Sequence, residues 1–418
     1  MFSGTHHHPL RVLIAGGGVA GVECLLALHD LAAEHLDITM VSEGSELVEG
    51  AVALGEPFGG RPPQHIDVAA LVAAQGGRFV RGTLASVDTA ARTATLLEGP
   101  TLSYDVLVMA VGAAPRLPWG RALQLEVTST RMLDMTIAEA TALGAHRVVV
   151  AIPPGPHWAL PGYELALLLA RDPRCDRLHI DLITRERAPL QVFGPVVSEA
   201  VDAELADAGV QLHTSRGMTL GEGDPIAVRL GPGGLRLDAD LVVAVPDLRP
   251  HTLRGLPVDD HGFLPVDAHG QVSGTHDVYA AGDCAAFPIK QGGLAAQQAD
   301  AAAAHIARRA GADVEAPSTT VVLRARMLTG RGDLWLRRDL LDPADRGEVA
   351  THALWWPPGK IAGRFIAPRL EALRDAAAGV PHEPAHGRVL DPDPMPDDVP
   401  VARHLDLIGD PTASRRAP

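Results

Sequence analysis

Apolar residues along the first third of the chain fall into short runs punctuated by glycine rather than into long helical stripes. Arg11-Val-Leu-Ile-Ala15 is a continuous apolar run of the kind a strand buried on both faces shows. Gly16-Gly-Gly-Val-Ala-Gly21 follows, then Val22 to Ala33 with the composition of a buried helix, then a second run from Asp37 to Val41 that ends at Ser42-Glu43. Further on, Val68 to Ala74 reads as a helix, and Phe79 to Val87 with Thr93 to Leu97 alternate as antiparallel strands. Tyr104 to Arg116 is a buried strand running into a glycine turn at Gly112, and Arg121 to Ala142 is a helical connection.

A second unit of the same kind opens at Arg147 to Ile152. It continues with a helix from Glu164 to Ala170, a strand from Leu178 to Ile183, a helix from Pro195 to Gly209 and a strand from Leu241 to Val245. Asp277-Val-Tyr-Ala-Ala-Gly-Asp-Cys284 then ends a strand in a Gly282-Asp283 turn, and an alanine-rich helix runs from about Lys290 to Ala310. Ser318 to Leu340 and Glu348 to Leu373 are expected to form a smaller C-terminal domain. From Pro381 to Pro418 there are eight prolines and seven acids in 38 residues, the composition of a disordered tail.

Strand, glycine turn, helix and strand with a terminal acid make a dinucleotide-binding unit. Gly16 permits the tight turn, Gly18 lets backbone approach a pyrophosphate, and Gly21 lets helix and strand pack closely. The following helix start, with Val19 and Ala20, offers N–H groups and positive potential to phosphate. Glu43 follows Gly21 by 22 residues, where a carboxylate can accept from ribose hydroxyls. The second unit departs from this pattern. Its turn reads Pro153-Pro-Gly-Pro-His-Trp-Ala-Leu-Pro-Gly162, in which prolines remove donors and Trp158 adds bulk.

Composition narrows the class. With 418 residues the chain can hold two or three domains, and 46% hydrophobic against 21% charged residues is a globular balance. A net charge of −15 argues against nucleic acid as partner. No apolar run is long enough for a membrane span, and Met1 to Pro9 lacks a secretory apolar core. The three cysteines, Cys24, Cys175 and Cys284, are widely spaced, so no disulfide framework and no CxxC redox pair is expected, and a cytoplasmic setting fits. The 19 histidines are not expected to form a metal site.

Gly16-x-Gly18-x-x-Gly21 with Glu43, the turn at Gly112, and Asp277-x-x-x-Ala-x-Gly282-Asp283 come in an order that resembles the FAD-dependent pyridine nucleotide-disulfide oxidoreductase superfamily, over roughly residues 10–312. The resemblance implies two Rossmann-like three-layer (ββα) α/β domains, the second inserted in the first, plus a small α+β C-terminal interface domain. The boundaries expected are 10–115 and 246–312 for the FAD domain, 116–245 for an NAD(P)-binding-like domain, 313–380 for the interface domain and 381–418 for the tail. It also implies FAD held by Gly16, Gly18, Val19, Ala20, Gly21, Glu43, Gly112, Gly282 and Asp283, although the usual Ala-Thr-Gly turn reads Ala110-Val111-Gly112 here.

Within that superfamily, Lys290-x-Gly292-x-x-Ala295-x-x-Gln298 is similar to the type II NADH dehydrogenase and sulfide:quinone oxidoreductase branch. The N–H groups of Gly292, Gly293, Leu294 and Ala295 would then face the flavin. Lys290 either pairs with the reduced flavin's charge or is a solvated loop lysine, and Glu164 either binds a nicotinamide ribose or starts a helix. The sulfide-oxidising members carry flavin-flanking cysteines that this sequence lacks. The segment Trp355-Trp-Pro-Pro-Gly-Lys360-Ile-Ala-Gly-Arg364 resembles one in uncharacterised actinobacterial flavoproteins. As a partner surface, 354–369 reads as core or homodimer contact, with a peripheral membrane patch as the minority reading. The expected activity is transfer of electrons from a small-molecule donor, NAD(P)H by the resemblance, through FAD to a quinone-like or protein acceptor. Open alternatives are a sulfide- or other donor-linked quinone reductase and a non-catalytic flavin-binding interaction protein.

Overall fold

The computed structural model of the chain describes residues 8–125, 131–155, 157–317, 319 and 321–379, so the expected tail at 381–418 lies outside the described residues. The first apolar run forms the strand Leu10–Ala15 and becomes the centre of a five-stranded parallel sheet. The order across that sheet is Val278–Ala280, Val106–Met109, Leu10–Ala15, Leu36–Ser42 and Arg78–Arg81. A strand from near residue 280 thus lies beside one from near 108, and the chain between them builds a second domain and returns. Alternation along the central strand explains its uniform hydrophobicity. Val12 and Ile14 pack against Val22, Leu25 and Leu28 of α1 (Val19–Ala32), while Leu13 and Ala15 serve the opposite face.

Two short helices follow, α2 (Gly50–Ala53) and α3 (Val68–Ala74), the latter capped by Asp67 accepting from Ala70 N–H at 2.8 Å. The expected single strand from Phe79 to Val87 is two strands. Arg78–Arg81 completes the parallel sheet, whereas Leu84–Asp88 joins Thr93–Leu96 and Thr101–Ser103 in an antiparallel layer on its other face. The break falls at Gly82, whose N–H still reaches Ser42 O before the chain turns away.

The second domain repeats the plan. Its parallel sheet runs Leu123–Gln124, Leu241–Ala244, Arg147–Ala151, His179–Ile183 and Gln211–His213, with a three-stranded antiparallel layer from Gly217 to Ala239. The helix expected over Arg121 to Ala142 is shorter, because Leu123 and Gln124 pair with Val243 and Ala244 as an edge strand, and α4 (Arg131–Ala142) begins later. α5 (Leu160–Arg171) starts four residues ahead of Glu164, with Pro161 in its first turn where a missing N–H costs nothing. α6 (Pro195–Asp207) closes the helical side.

α7 (Gly292–Arg309) returns to the first domain. Its alanines at 295, 299, 302 and 303 let it lie close against α1 in the core shared with the sheet. The C-terminal part is an antiparallel sheet of Val322–Leu328, Asp333–Asp339 and Glu348–Ala350, a loop, and α8 (Ile366–Ala378). Leu323, Ala325 and Met327 point into the second domain's core, so this sheet is bound to α5 as much as to α7. Among the described residues no helix is long and apolar enough to cross a membrane.

Candidate functional site: a nucleotide cleft and an apolar pocket

The glycines divide by what a side chain would meet. Gly16 sits at φ +116°, and an added Cβ would fall 2.1 Å from Ala110 O; at Gly21 it would fall on Gly16 O. Those two serve packing between strand, turn and helix. Gly18 is the N-cap of α1, and a Cβ there would meet nothing within 4 Å. That space belongs to a cleft of ≈ 610 Å³ running past Gly16, Ser42, Glu43, Thr83 and Gly112. Gly18, Val19 and Ala20 precede the first internal bond of α1, Val22 N–H to Gly18 O, so the helix's positive end faces the cleft. Gly112, at φ +68°, forms the far wall. Glu43 lies exposed at the end of its strand and accepts from Thr83 Oγ1 at 2.8 Å, which fixes one carboxylate oxygen and leaves acceptor capacity for a diol. An open cradle, a helix N-terminus and a held acid fit the pyrophosphate and ribose of FAD.

Val48 joins this cleft to a second, deeper pocket of ≈ 390 Å³. Its walls are Val19, Leu54, Leu125, Trp158, Leu160, Val245, Leu248, Ala325 and Ile361, and its polar groups are Asp283, Lys290, Gln291, Glu164, Arg326 and Lys360. Asp283 follows Gly282, which takes φ +79° close against Ala20 and Ala295. Burial pushes the Asp283 carboxyl up, opposed by the Lys290 charge.

The structure changes the role of several expected residues. Leu294 N–H is already taken by the Gln291 side chain at 2.8 Å, and Ala295 N–H bonds Gln291 O. Of the four expected donors, only those of Gly292 and Gly293 are left at the pocket end of α7. Lys290 is neither a solvated loop lysine nor aimed freely at the pocket. It is buried, donates to Asp283 O at 2.9 Å and Ala285 O at 2.7 Å, and lies 3.7 Å above the Phe263 ring. Desolvation lowers its pKa to about 8, against the pull of Asp283.

Glu164 does not begin a helix, since α5 already starts at Leu160. Buried in α5, its Oε1 accepts from Lys360 Nζ at 2.6 Å and Leu328 N–H at 2.8 Å, joining the second domain to the C-terminal segment. Burial raises its pKa above the ordinary carboxylate value, and Lys360 opposes the rise. Segment 354–369 is correspondingly only partly a surface. Trp355 packs edge-on against Trp335 at 4.7 Å and Lys360 turns inward, while Trp356, Arg364 and Arg369 are exposed.

The second domain's own fingerprint differs sharply from the first. Pro161 has no N–H and Gly162 N–H is bonded to Ala159 O, so the first turn of α5 has fewer free donors than that of α1. Trp158 rests on Phe193, with ring centroids 5.9 Å apart. Glu186, just past the strand His179–Ile183, is the positional counterpart of Glu43, yet it accepts from Tyr163 Oη at 2.7 Å and burial raises its pKa to about 7. All three cysteines are buried, and desolvation raises Cys175 and Cys284 to about 11. Among the described residues no cluster of potential metal ligands occurs.

Sequence reasoning missed Glu23, Asp300, Arg326 and Lys360. One signal was present for the first: Glu23 is the sole acid in the otherwise apolar stretch from Val19 to Leu28.

Two sheets with a glycine cradle on the first and a pocket where both domains meet the C-terminal segment define a two-domain FAD-dependent oxidoreductase. The chain belongs to the pyridine nucleotide-disulphide oxidoreductase family, whose model matches residues 10–311. It is 26% identical to putidaredoxin reductase CamA of Pseudomonas putida over 66% of this chain and 67% of that one. It is 29% identical to the nitric oxide reductase FlRd-NAD(+) reductase of Salmonella arizonae over 44% of this chain, spanning only 47% of that relative. In structure it resembles the sulfide:quinone oxidoreductase of Aquifex aeolicus with a TM-score of 0.73 at 19% identity, covering 89% of this chain and 92% of that one. At that identity the likeness is one of fold.

Proposed function

We propose that this chain carries electrons from a reduced pyridine nucleotide through FAD to a small, apolar, quinone-like acceptor. The pocket of ≈ 390 Å³ carries this reading: its walls are mainly apolar residues of both domains, with Asp283, Lys290, Glu164 and Lys360 among the few polar groups that line it. Bound FAD supplies the hydride and electron chemistry. The protein's part is to hold and orient. Gly18, Val19 and Ala20 seat the pyrophosphate, Glu43 the adenosine ribose, and Asp283 the ribityl region. The N–H groups of Gly292 and Gly293 favour negative charge at the pocket end of α7.

Reducing a quinone consumes two protons with two electrons. The hydride accounts for both electrons and one of those protons, and Lys360, held at the pocket wall by Glu164 at 2.6 Å, donates the other. Trp158, Leu160 and Leu125 exclude water around the acceptor.

The donor reading rests on the family. Since the first turn of α5 has few free N–H groups, nucleotide affinity is expected to be weak. The buried, high-pKa cysteines disfavour a sulfur-carrying mechanism. Anaerobic stopped-flow mixing of the flavoprotein with NADH, NADPH or sulfide, followed by a soluble quinone, tests the whole reading. Bleaching by a nucleotide and recovery with quinone is the expected result. Bleaching by sulfide alone moves the donor, and recovery only with a protein acceptor moves the acceptor.

A further inference from the structure

Glu23 lies on α1, the same helix whose N-terminus faces the nucleotide cleft, and it is fully buried. Its two carboxylate oxygens do not serve α1. They accept from Phe365 N–H at 2.9 Å and Ile366 N–H at 2.6 Å, which are the first donors of α8. The chain leading into α8 is the segment that carries Lys360 and Ile361 into the pocket. The fit is close: a Cβ on Gly363 would fall 2.9 Å from Glu23 Oε2 and 3.1 Å from Ala296 of α7.

A second carboxyl, Asp300 of α7, meets Glu23 at this point. Its Oδ1 is buried and has no hydrogen-bond partner. Two carboxyls can share such a site only by holding a proton between them. Glu23, with two backbone donors, is the better anion, so the proton resides on Asp300 and is donated to Glu23.

The geometry points to Glu23 and Asp300 as a proton-sharing positioning pair that seats the C-terminal segment on α1, and so sets where Lys360 and Ile361 stand in the acceptor pocket. Three elements meet there, α1 through Glu23, α7 through Asp300, and the start of α8 through its first N–H groups. The other charged or titratable groups facing the pair are Arg364, which precedes α8, and Cys24 of α1.

The electrostatics agree in direction. Desolvation raises Glu23 to about 7, with the α8 N–H groups opposing the rise. Asp300 is raised well above the ordinary carboxylate value, by burial and then by the Glu23 charge, with Arg364 opposing. Both acids bind protons more tightly folded than unfolded. Their contribution is therefore complete below the ordinary carboxylate range and is lost as pH rises through the raised values. The segment should be held most firmly in mild acid and loosen in alkali.

The inference rests on the pocket beside Lys360 being the acceptor site, but its primary test does not. Amide hydrogen exchange at Phe365 and Ile366 would be followed in the full-length FAD-bound protein, corrected for intrinsic rate, between about pH 6 and about pH 9. Protection is expected to fall by about tenfold or more in the wild type across that range. In Asp300→Asn, which keeps a neutral donor to Glu23 but cannot ionise, only Glu23 is left to titrate and protection should fall by much less than in the wild type. Asp300→Ser, also a neutral donor, is the second variant if the first does not fold. The same alkaline loss in either variant overturns the proposal. The acceptor KM should rise with pH in the wild type and rise less in Asp300→Asn. A smaller loss of protection in the variant with the same KM profile as the wild type would keep the seat and overturn its link to the pocket.

Discussion

Lys360 Nζ stands 2.6 Å from Glu164 Oε1, with the two side chains 5% and 1% exposed. This ion pair ties the C-terminal segment to the second domain at the pocket. Its worth depends on being complete, since each charge is desolvated and has little water to fall back on. Lys360→Met is expected to lower stability by roughly 3–5 kcal/mol, because it strands a buried carboxylate. Pairing it with Glu164→Leu should recover much of that loss. Thermal unfolding of the two variants checks both, and a double variant no better than the single one would contradict the pairing.

The glycine turn makes a contrast of its own. Gly16→Ala and Gly21→Ala would push a methyl into backbone oxygen, so both should yield little folded protein. Gly18→Ala meets open space and should fold normally. Its methyl would occupy the phosphate approach, and FAD affinity should drop by roughly tenfold, or about 1.4 kcal/mol. Circular dichroism and bound-flavin absorbance separate the two effects. Equal FAD retention in Gly18→Ala would remove that glycine from the binding site.

Lys290 titrates unusually low, at about 8, because burial disfavours its charge. Between that value and the ordinary lysine range the unfolded chain binds the proton and the folded chain does not. The buried charge therefore weighs against the fold below about 8, and stability relative to Lys290→Met should rise with pH through that region. Lys290→Met should also cost about 1–3 kcal/mol near neutrality by leaving Asp283 O and Ala285 O unmet. A flavin absorbance titration near 8 that disappears in Lys290→Met would place the ammonium within electrostatic reach of the ring.

Thiol reagents offer a simple check on the chemistry. Cys284 donates from Sγ to Met109 O at 3.2 Å and sits near 11. At neutral pH its thiolate is a minute fraction, so the native protein should be inert to alkylation and Cys284→Ser should still reduce its acceptor. Rapid modification of native protein with loss of flavin reduction would reverse that expectation.

Nucleotide use is predicted to be the weaker half of the activity. With Pro161 and the bonded Gly162 in the first turn of α5, flavin bleaching should half-saturate toward ~1 mM NADH, the upper end of common KM values. Tight saturation in the low micromolar range would show that other groups hold the nucleotide.

What could be read along the chain is what neighbouring residues encode. An apolar run, three spaced glycines and a terminal acid force strand, turn, helix and strand, because each step is set by local sterics and by burial on both faces. The Gly282-Asp283 turn and the long alanine helix were legible for the same reason. Expected boundaries failed where a tertiary partner captured part of a run: Gly82 sends one apolar stretch into two layers, and Leu123 leaves its helix to pair with Val243.

The distant partners of Glu164 and Glu23 were out of reach of any local pattern. Glu164 finds Lys360 across 196 positions, and Glu23 finds Phe365 and Ile366 across 342 and 343. Along the chain each looks like an ordinary helix acid. Only the closing of the C-terminal segment over α1 and α5 removes the water that would otherwise solvate them. That desolvation, which no stretch of sequence contains, is what turns two common carboxylates into the fastenings of the pocket.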